Sequence, residues 1–408
     1  MSENTESRLV ERGHYMEILR SGRDTPFIKV ITGIRRCGKS TLMDMFRMEL
    51  LESGIPEDHV FHMDFDDDEA DIPRDHRALT DLVVSSMDVG PGSYIFLDEV
   101  QNVSEWERSV ASLYNKGADV YITGSNSQML SSELSTKLSG RCIEIHVLPL
   151  VFSEYVKFRK SDDVDSLLGD FIRDGGLPAV ALLGDGISKS MIPQIIEGIF
   201  NTVFVKDVIQ RHSIRNIQSM TNLLRFMMRN IGDRTSPRRA ANYLTSSGIK
   251  TNHVTIEEQI SYLEEAFLIS RAKRYDSKTK EYLVTADKFY ATDLGVRNSV
   301  AGFRQDDDLD GILENMVYME LCYRYGNVAV LSVDGLEVDF VSDPIRSPMY
   351  WQVSINIGDL ETRERELRSL RAIQDNYPRT VITFDRFPMD DIDGIRIVQL
   401  KDWLLEGR

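Results

Sequence analysis

Short apolar runs alternate with longer amphipathic segments from Pro26 to about Leu150. The runs are PFIKVITG, VFHMDF, SYIFLDEV, DVYITGS and RCIEIHVLPL, and helix-like segments separate them. Apolar residues follow one another in YIFL and VYIT, which is typical of central strands buried on both faces. Strands that alternate with helices favour a parallel sheet covered by helices. We therefore expect residues 1–150 to form a three-layer α/β domain.

The pattern changes after this domain. Between about Ser153 and Gln218 it becomes helical, and a GGLP turn interrupts it. Residues 219–286 predict three helices followed by a two-stranded hairpin in SRAKRYDSKTKEYLV, which is the order of a winged helix. Helices and strands then alternate to the end of the chain, as in LENMVYMEL, EVDF and MYWQVSIN. We expect a helical subdomain or linker over 151–218, a winged-helix-like domain over 219–286 and a smaller α/β domain over 287–408.

A phosphate-binding motif follows the strand VITG. Its residues fit GxxxxGK[ST], the Walker A pattern, at every fixed position, and they open a helix: Gly33, Ile34, Arg35, Arg36, Cys37, Gly38, Lys39, Ser40 and Thr41. Glycines let backbone N–H groups turn towards phosphate oxygens, and the helix N-terminus adds positive potential. Lys39 is expected to neutralise the β and γ phosphates of ATP, and Ser40 to offer its hydroxyl to Mg²⁺.

Two carboxylates end the buried strand YIFLDEV. Asp98 lies at the strand tip, where it can hold Mg²⁺, and Glu99 beside it can polarise the attacking water as the catalytic base. A strand that ends in Asp-Glu is weak evidence alone. After a matching P-loop it predicts a Walker B site.

Two further residues are candidates for the nucleotide site. Asn126 lies in the polar tip GSNS after the next strand, suited to sensing a γ-phosphate, although a capping turn is the alternative. Arg141 opens the following strand and is a candidate for stabilising transition-state charge, in the same subunit or from a neighbouring one. A surface salt bridge is the alternative role of Arg141.

These motifs together resemble a known family. GIRRCGKST, FLDEVQ, ITGSNSQML, STKLSGR followed by LPLVFSEY, and GGLPAV resemble the AAA-type P-loop ATPases of bacteria and archaea known only as ATP-binding proteins. DVIQRHSIRN, SYLEEAFLI, YATDLGVRN, LENMVYMEL, EVDF and WQVS resemble that family's C-terminal domain of unknown function. The resemblance covers nearly the whole chain. It implies an AAA-like ATPase module, a winged helix, and a fold similar to the restriction-endonuclease-like PD-(D/E)xK nucleases.

The nuclease-like resemblance can be tested against individual residues. PD-(D/E)xK enzymes combine a helix Glu, a strand Asp, and a Glu or Gln followed two residues later by Lys. Glu314, Asp339 and Gln352 match the first three, but Ser354 stands at the lysine position. A serine cannot supply the cation. We therefore expect a degenerate, non-catalytic domain that cleaves no DNA.

The charge and the cysteine content limit the binding partners and the cellular compartment that we expect for this protein. The 65 acidic and 48 basic residues give a net charge of −17, which repels nucleic acid and anionic membranes at long range. Three cysteines exclude a disulfide framework and fit the cytoplasm, and no stretch approaches the roughly 18 apolar residues of a membrane span. Basic residues do concentrate around the predicted wing: Arg234, Arg238, Arg239, Lys250, Arg271, Lys273, Arg274, Lys278 and Lys280. Double-stranded DNA and a protein partner both stay open for this region.

The sequence thus predicts an ATPase whose cofactor is Mg²⁺ and whose hydrolysis of ATP is coupled to a rearrangement of its C-terminal domains. The alternative is a nucleotide-gated binding or signalling switch with little turnover. An ATP-coupled nuclease is disfavoured by Ser354. Neither the partner nor the oligomeric state follows from these patterns.

Overall fold

The computed structural model describes residues 10–66, 72–130, 138, 140–183, 188, 190–283, 286–303 and 309–406. Two units make up the chain, the first with residues 1–149 and 265–267, the second with 150–264 and 268–408. Within the described ranges, none of the helices has the length and apolar character needed to cross a bilayer.

A five-stranded parallel sheet organises the first unit, with strand order β2-β3-β4-β1-β5. The strands are β1 Ile28–Thr32, β2 Val60–Asp64, β3 Tyr94–Asp98, β4 Asp119–Gly124 and β5 Cys142–His146. The helices are α1 Gly13–Gly22, α2 Lys39–Glu52, α3 His76–Ser86 and α4 Trp106–Asn115. Every residue of β1, β3 and β4 is buried, as their continuous apolar runs predict. The predicted parallel α/β sheet is therefore confirmed.

Helices cover both faces of this sheet. On one face, strand residues such as Ile95 and Val120 pack against Val83 of α3 and Leu113 of α4. On the other face, the rings of Phe96 and Tyr121 stack with centroids 4.9 Å apart, and Phe46 of α2 lies 5.3 Å from Tyr121. Burying each such side chain stabilises the fold by roughly 1.5–3 kcal/mol. This double-sided core fixes the strands in parallel register and holds their carboxyl ends at one edge.

Helices dominate the start of the second unit. They are α5 Phe152–Arg159, α6 Val164–Asp174, α7 Pro178–Ala181 and α8 Ile192–Val203, followed by a π-helical segment Phe204–Gln210 and by α9 Ile217–Arg229. A helix from much later in the chain, α12 Leu294–Ala301, packs against α6, α8 and α9. The helical subdomain expected over 151–218 is thus completed by residues beyond its predicted limit.

Asp293 joins α12 to the GGLP turn. Its buried carboxylate accepts hydrogen bonds from the Gly176 N–H at 2.7 Å and the Val296 N–H at 2.9 Å. At Gly175, where φ is +77°, an added Cβ would lie 2.4 Å from the Gly295 nitrogen. Burial raises the pKa of Asp293 to about 6, although the backbone donors oppose the shift. The GGLP turn is therefore joined to the ATDLG segment, because the Gly176 N–H and the first turn of α12 donate to the same carboxylate.

A three-stranded antiparallel sheet follows, with order β6-β10-β7. Its strands are β6 Arg234–Thr235, β7 Ile269–Ala272 and β10 Asp287–Ala291, and the helices α10 Pro237–Ser246 and α11 His253–Glu265 lie between β6 and β7 in the chain. Strand β10 lies beyond the boundary expected at 286, so that boundary falls beside a strand of this sheet. The hairpin expected within 270–284 is present as the antiparallel pair of β8 Arg274–Asp276 with β9 Glu281–Tyr282. The start of that segment, β7, pairs with β10 instead.

An eight-stranded sheet occupies the rest of the second unit, in the order β15-β16-β14-β13-β12-β11-β8-β9. Its strands are β8 Arg274–Asp276, β9 Glu281–Tyr282, β11 Val328–Val333, β12 Leu336–Ser342, β13 Met349–Ser354, β14 Arg379–Thr383, β15 Asp391–Ile392 and β16 Ile395–Gln399. The helices α13 Leu309–Tyr325, α14 Leu360–Arg371 and α15 Leu400–Leu405 accompany it. Leu367 and Leu370 of α14 pack against Val338 and Val381 in its core. Because β8 and β9 belong here, the basic turn between them lies on this sheet.

We predict that Asp293→Ala strongly destabilises the second unit. The change leaves the buried N–H groups of Gly176 and Val296 without their acceptor, at a cost of about 2–4 kcal/mol. Asp359→Ala is the matched control, because Asp359 is also a helix N-cap but is exposed and accepts from Thr362 N–H, which is worth about 1 kcal/mol. Urea denaturation followed by circular dichroism measures both. Equal midpoints for the two variants would contradict the role of Asp293.

Candidate functional site

The loop between β1 and α2 forms a tightly constrained turn. Gly33 has φ +145°, and an added Cβ there would lie 2.2 Å from the backbone oxygen of Val147. Gly38 has φ +100° and caps the amino end of α2, while Arg36 has φ +68°. Only glycine adopts the first of these conformations without strain and without a clash. The turn therefore brings backbone N–H groups and a helix amino end together, an arrangement that binds anions.

Lys39 crosses from this loop to the end of β3. Its buried Nζ donates to the backbone oxygens of Gly33 at 3.0 Å and Ile34 at 3.3 Å, and it lies 3.6 Å from Glu99 Oε1. The ammonium therefore donates to two neutral carbonyl oxygens and forms only a weak ion pair with the Glu99 carboxylate. A phosphate group could compete for it on favourable terms.

Thr123 of β4 links the two acids at the end of β3. Its hydroxyl accepts from the Glu99 N–H at 2.9 Å and donates to Asp98 Oδ1. Ser40 also forms a side-chain hydrogen bond with Asp98. Burial raises the pKa of Asp98, and the hydrogen bonds from Ser40 and Thr123 work against the shift. The predicted magnesium residues Ser40 and Asp98 therefore lie close to each other.

Glu99 is held in an unusual backbone conformation. Its φ is +50°, in the left-handed region that non-glycine residues avoid. Gln101 Nε2 donates to Glu99 Oε2, and Ser125 forms a further hydrogen bond with the carboxylate. Burial alone would raise the pKa of Glu99, but Lys39 and Arg35 outweigh it and lower the pKa below its usual value. The candidate base is thus ionised and fixed in direction.

Two arginines stabilise this site through contacts that the sequence analysis did not predict. Arg35 Nη1 lies 3.0 Å from Asp66 Oδ2, just beyond the end of β2, which fixes its guanidinium on the Glu99 side of the loop. The buried Arg12 donates to the backbone oxygens of Cys37 at 3.1 Å and Leu148 at 2.8 Å. No local pattern marks Arg12, because its partners are distant in sequence. Sequence reasoning therefore missed it.

The remaining P-loop and tip residues lie as the strand order requires. Ile34 and Cys37 are fully buried, and burial raises the pKa of the Cys37 thiol, which leaves it a packing residue. Thr41 is exposed in the first turn of α2. Asn126 is buried directly after β4, next to Ser125. Asn126 thus lies at the same sheet edge as the P-loop.

Arg141 lies at the opposite edge of the sheet. Its backbone oxygen accepts from the N–H of Ile28, the first residue of β1, whereas the P-loop follows the last residue of β1. Five residues of strand separate the two edges by about 15 Å. The Arg141 side chain donates to Asn115 Oδ1 at 2.9 Å and covers the Tyr114 ring, in a cavity of about 640 Å³. The structure therefore does not support a role for Arg141 at the P-loop of its own molecule, and a role across a subunit contact stays a prediction. Part of the preceding STKLSGR segment lies outside the described residues.

The second unit brings the three nuclease-like residues together. Glu314 lies on α13, Asp339 on β12 and Gln352 on β13, and the Asp339 N–H donates to Gln352 Oε1 at 3.3 Å. Ser354, at the expected lysine position, donates instead to the Asn356 backbone oxygen. Burial and the neighbouring Glu314 raise the pKa of Asp339, and Lys288 opposes the shift.

A lysine that sequence reasoning missed enters this cluster from β10. The Nζ of Lys288 lies 2.7 Å from Glu314 Oε1 and 3.7 Å from Asp339 Oδ1. Lys288 comes well before the other residues of the cluster in the chain, so a motif search along β12 and β13 does not find it.

Family models match two parts of the chain. Residues 25–156 match an AAA domain, and residues 166–307 match a domain of unknown function (DUF8612). The first match contains the P-loop and both carboxylates of β3. The second begins within α6, ends after α12 and contains the three-stranded sheet.

Relatives along the whole chain and one solved structure are also similar to this protein. An uncharacterised protein of Methanocaldococcus jannaschii is 29% identical over 406 residues, with 93% of this chain and 88% of the relative covered. The structure of a Walker-type ATPase of Pyrococcus abyssi superposes with a TM-score of 0.52 at 15% identity, over 72% of this chain and 96% of that one, which shows a shared fold.

A protein of Haemophilus influenzae, also uncharacterised, is 33% identical over 407 residues, with 98% of this chain and 99% of the relative covered. Identity at this level over complete chains, together with the AAA match and the geometry of the P-loop, is decisive for the family. The chain therefore belongs to a family of AAA-type P-loop ATPases that includes the Haemophilus influenzae protein.

Proposed function

We propose that this chain binds ATP with Mg²⁺ at residues 33–41 and hydrolyses it to ADP and phosphate. The observation that carries the proposal is the meeting of Lys39, Asp98 and Glu99 at the carboxyl edge of the sheet, beside the constrained loop that opens α2. Each of these groups matches one requirement of phosphoryl transfer to water.

The residues present fit Mg²⁺ and a triphosphate. The hydrogen bond between Ser40 and Asp98 places a hydroxyl and a carboxylate together, and Mg²⁺ prefers such oxygen ligands. Bound Mg²⁺ would neutralise charge on the phosphate oxygens. The crowding around Gly33 restricts the loop, whose amides and the Lys39 ammonium are proposed to bind phosphate.

Glu99 is the proposed general base. Its ionised carboxylate accepts a proton from the attacking water while Gln101 and Ser125 hold its direction. Lys39 contacts Glu99 and the loop carbonyls here, and phosphate binding would draw the ammonium away from them. Asn126 and Ser125 are proposed to contact the γ-phosphate from the tip of β4.

We further propose that hydrolysis changes the conformation of the C-terminal domains. A nucleotide-gated switch with little turnover is the second candidate, and the structure gives it one point of support. Glu99 carries backbone strain and is tied to Lys39, so a bound nucleotide could alter the site without rapid hydrolysis. Turnover and conformational change must therefore be measured separately.

We predict that Glu99→Gln lowers Mg²⁺-dependent ATP turnover at least about 100-fold, because loss of a general base typically costs this much. ATP affinity should change little, since Glu99 does not belong to the phosphate cradle. Glu105→Gln is the matched control, because Glu105 lies in the same domain but its carboxylate pairs with His76 and Arg108 rather than with Lys39. Phosphate release and equilibrium binding of a fluorescent ATP analogue give the two quantities.

Hydrogen exchange of residues 150–406 with and without ATP measures the conformational change of the C-terminal domains. Exchange that differs between the ATP-bound Glu99→Gln variant and the ADP-bound wild type supports coupling. Turnover that survives in Glu99→Gln would overturn the assignment of the base. A wild type that binds ATP, changes exchange and hydrolyses nothing would establish the switch instead.

Gly33→Ala should weaken ATP binding about tenfold or more. Its Cβ would meet the Val147 oxygen at 2.2 Å and would demand a positive φ, so the loop must move at a cost of roughly 1–3 kcal/mol. Gly54→Ala provides the control, because Gly54 also has a positive φ of +95° but lies in open space after α2. Both variants carry backbone strain, so a binding defect confined to Gly33→Ala isolates the cradle. Equal binding by the two variants would argue against it.

Residues 219–291 are proposed to form a winged helix that does not grip duplex DNA. The chain order α9, β6, α10, α11, β7, β10 supports the winged helix. In helix-turn-helix domains the second helix of the pair lies in the major groove. Here that helix is α11, whose sequence HVTIEEQISYLEE holds four glutamates and neither lysine nor arginine.

Acidic partners also occupy several of the nearby arginines. Arg271 pairs with Glu264 at 2.7 Å, Arg239 with Asp233 at 3.2 Å, and Arg234 with Glu337. Each such ion pair leaves one fewer positive charge to contact the phosphates of DNA. A protein partner therefore suits this surface better than DNA does.

We predict no binding of a 20-base-pair duplex below about 100 µM at physiological salt, the weak end of non-specific affinity. Fluorescence anisotropy of the labelled duplex measures it. The double variant Lys278→Glu/Lys280→Glu, at the exposed turn between β8 and β9, should behave like the wild type. Micromolar, salt-sensitive binding that this variant loses would restore the DNA interpretation.

A further inference from the structure

The carboxylates of the second unit converge on one side chain of the chain itself. Lys288 Nζ lies 2.7 Å from Glu314 Oε1, 3.2 Å from Glu337 Oε1 and 3.7 Å from Asp339 Oδ1. The ammonium is buried, so these oxygens rather than water surround it. It lies at the common focus of the three carboxylates, where a divalent cation bound by them would also have to lie.

We propose that the Lys288 ammonium is the permanent cation of this cluster and that it excludes a divalent metal ion from it. The cluster is then a closed ion-pair network, and the nuclease-like residues Glu314 and Asp339 have exchanged metal binding for a side-chain cation. The inference concerns the second unit and stands independently of ATP hydrolysis.

The other donors around the cluster support this assignment. Glu314 Oε1 also accepts from Tyr290 OH at 2.5 Å, and Glu337 Oε2 accepts from Arg234 Nε at 2.7 Å. Asp339 Oδ2 accepts from the Val353 N–H at 2.9 Å. The chain's own donors therefore contact five of the six oxygens of these three carboxylates.

Gln352 is engaged in the same way. Its Oε1 accepts from the Asp339 N–H, and its Nε2 donates to Glu366 Oε2 at 2.9 Å. The amide oxygen, which would be the fourth metal ligand in a nuclease, is thus used within the sheet.

The position of Lys288 separates this arrangement from that of a catalytic lysine. A lysine that assists metal-dependent hydrolysis lies beside the metal and the attacking water, so that carboxylates and ammonium hold different species. Here the ammonium contacts the carboxylates themselves. Two like-charged cations a few ångströms apart at this focus would repel each other strongly.

Manganese binding to the full-length protein without nucleotide tests the proposal, with free Mn²⁺ measured by electron paramagnetic resonance. The wild type and Asp339→Asn should bind the same number of ions, since the cluster holds none in either. Lys288→Ala should bind one more ion per chain than the wild type and gain thermal stability on Mn²⁺ addition. The double variant Lys288→Ala/Asp339→Asn should lose that added ion.

Two results would overturn the proposal. One is a wild type that binds one more Mn²⁺ than Asp339→Asn, or that nicks supercoiled plasmid with Mn²⁺ in a manner Asp339→Asn abolishes. The other is a folded Lys288→Ala that gains no ion. Should Lys288→Ala fail to fold, the comparison of the wild type with Asp339→Asn decides the question alone.

Discussion

The parallel register of β1, β3 and β4 is the constraint on which the nucleotide site depends. Because these strands run in the same direction and are buried along their full length, their carboxyl ends open on one edge. The P-loop, the Asp98–Glu99 pair and the Ser125–Asn126 tip lie together because each follows one of these strands. The short side chain of Thr123 on β4 can then form hydrogen bonds with both acidic residues at the end of the neighbouring strand β3.

The same constraint explains which parts of the site the sequence could predict. Each strand tip is local in sequence, so Lys39, Ser40, Asp98 and Glu99 could be placed together once the strands were recognised as parallel. A role at the phosphates was one of two alternatives for Arg141, but Arg141 precedes its strand, and the start of a parallel strand lies at the far edge. The direction of the strand was available in the sequence and would have ruled out a role in the same molecule.

Other features could not be predicted because they join distant segments. Arg12 contacts carbonyls of residues 37 and 148, and Lys288 approaches carboxylates from strands and a helix that come later in the chain. The boundary expected at 286 likewise falls directly before β10, although the partners of β10, strands β6 and β7, come before that boundary in the chain. A propensity pattern records the nature of a segment but not its partner in space.

Two buried lysines show how the same functional group takes different roles. Lys39 donates to peptide carbonyls and meets one carboxylate at 3.6 Å, which leaves its charge only partly compensated. Lys288 is enclosed by three carboxylates, and burial, which alone would lower its pKa, is outweighed by them. The first arrangement suits a residue that waits for an anion, and the second suits one that stays in place.

The hydrogen bonds of Arg12 carry a consequence for any excised ATPase fragment. The AAA match begins at residue 25, yet Arg12 supports the base of the P-loop through Cys37 and braces it against Leu148, whose N–H also donates to Tyr15 OH at 3.0 Å. A fragment trimmed to residues 25–156 would leave these buried carbonyls without a donor. The minimal unit able to fold around a rigid P-loop therefore starts before α1, upstream of the segment that the family defines.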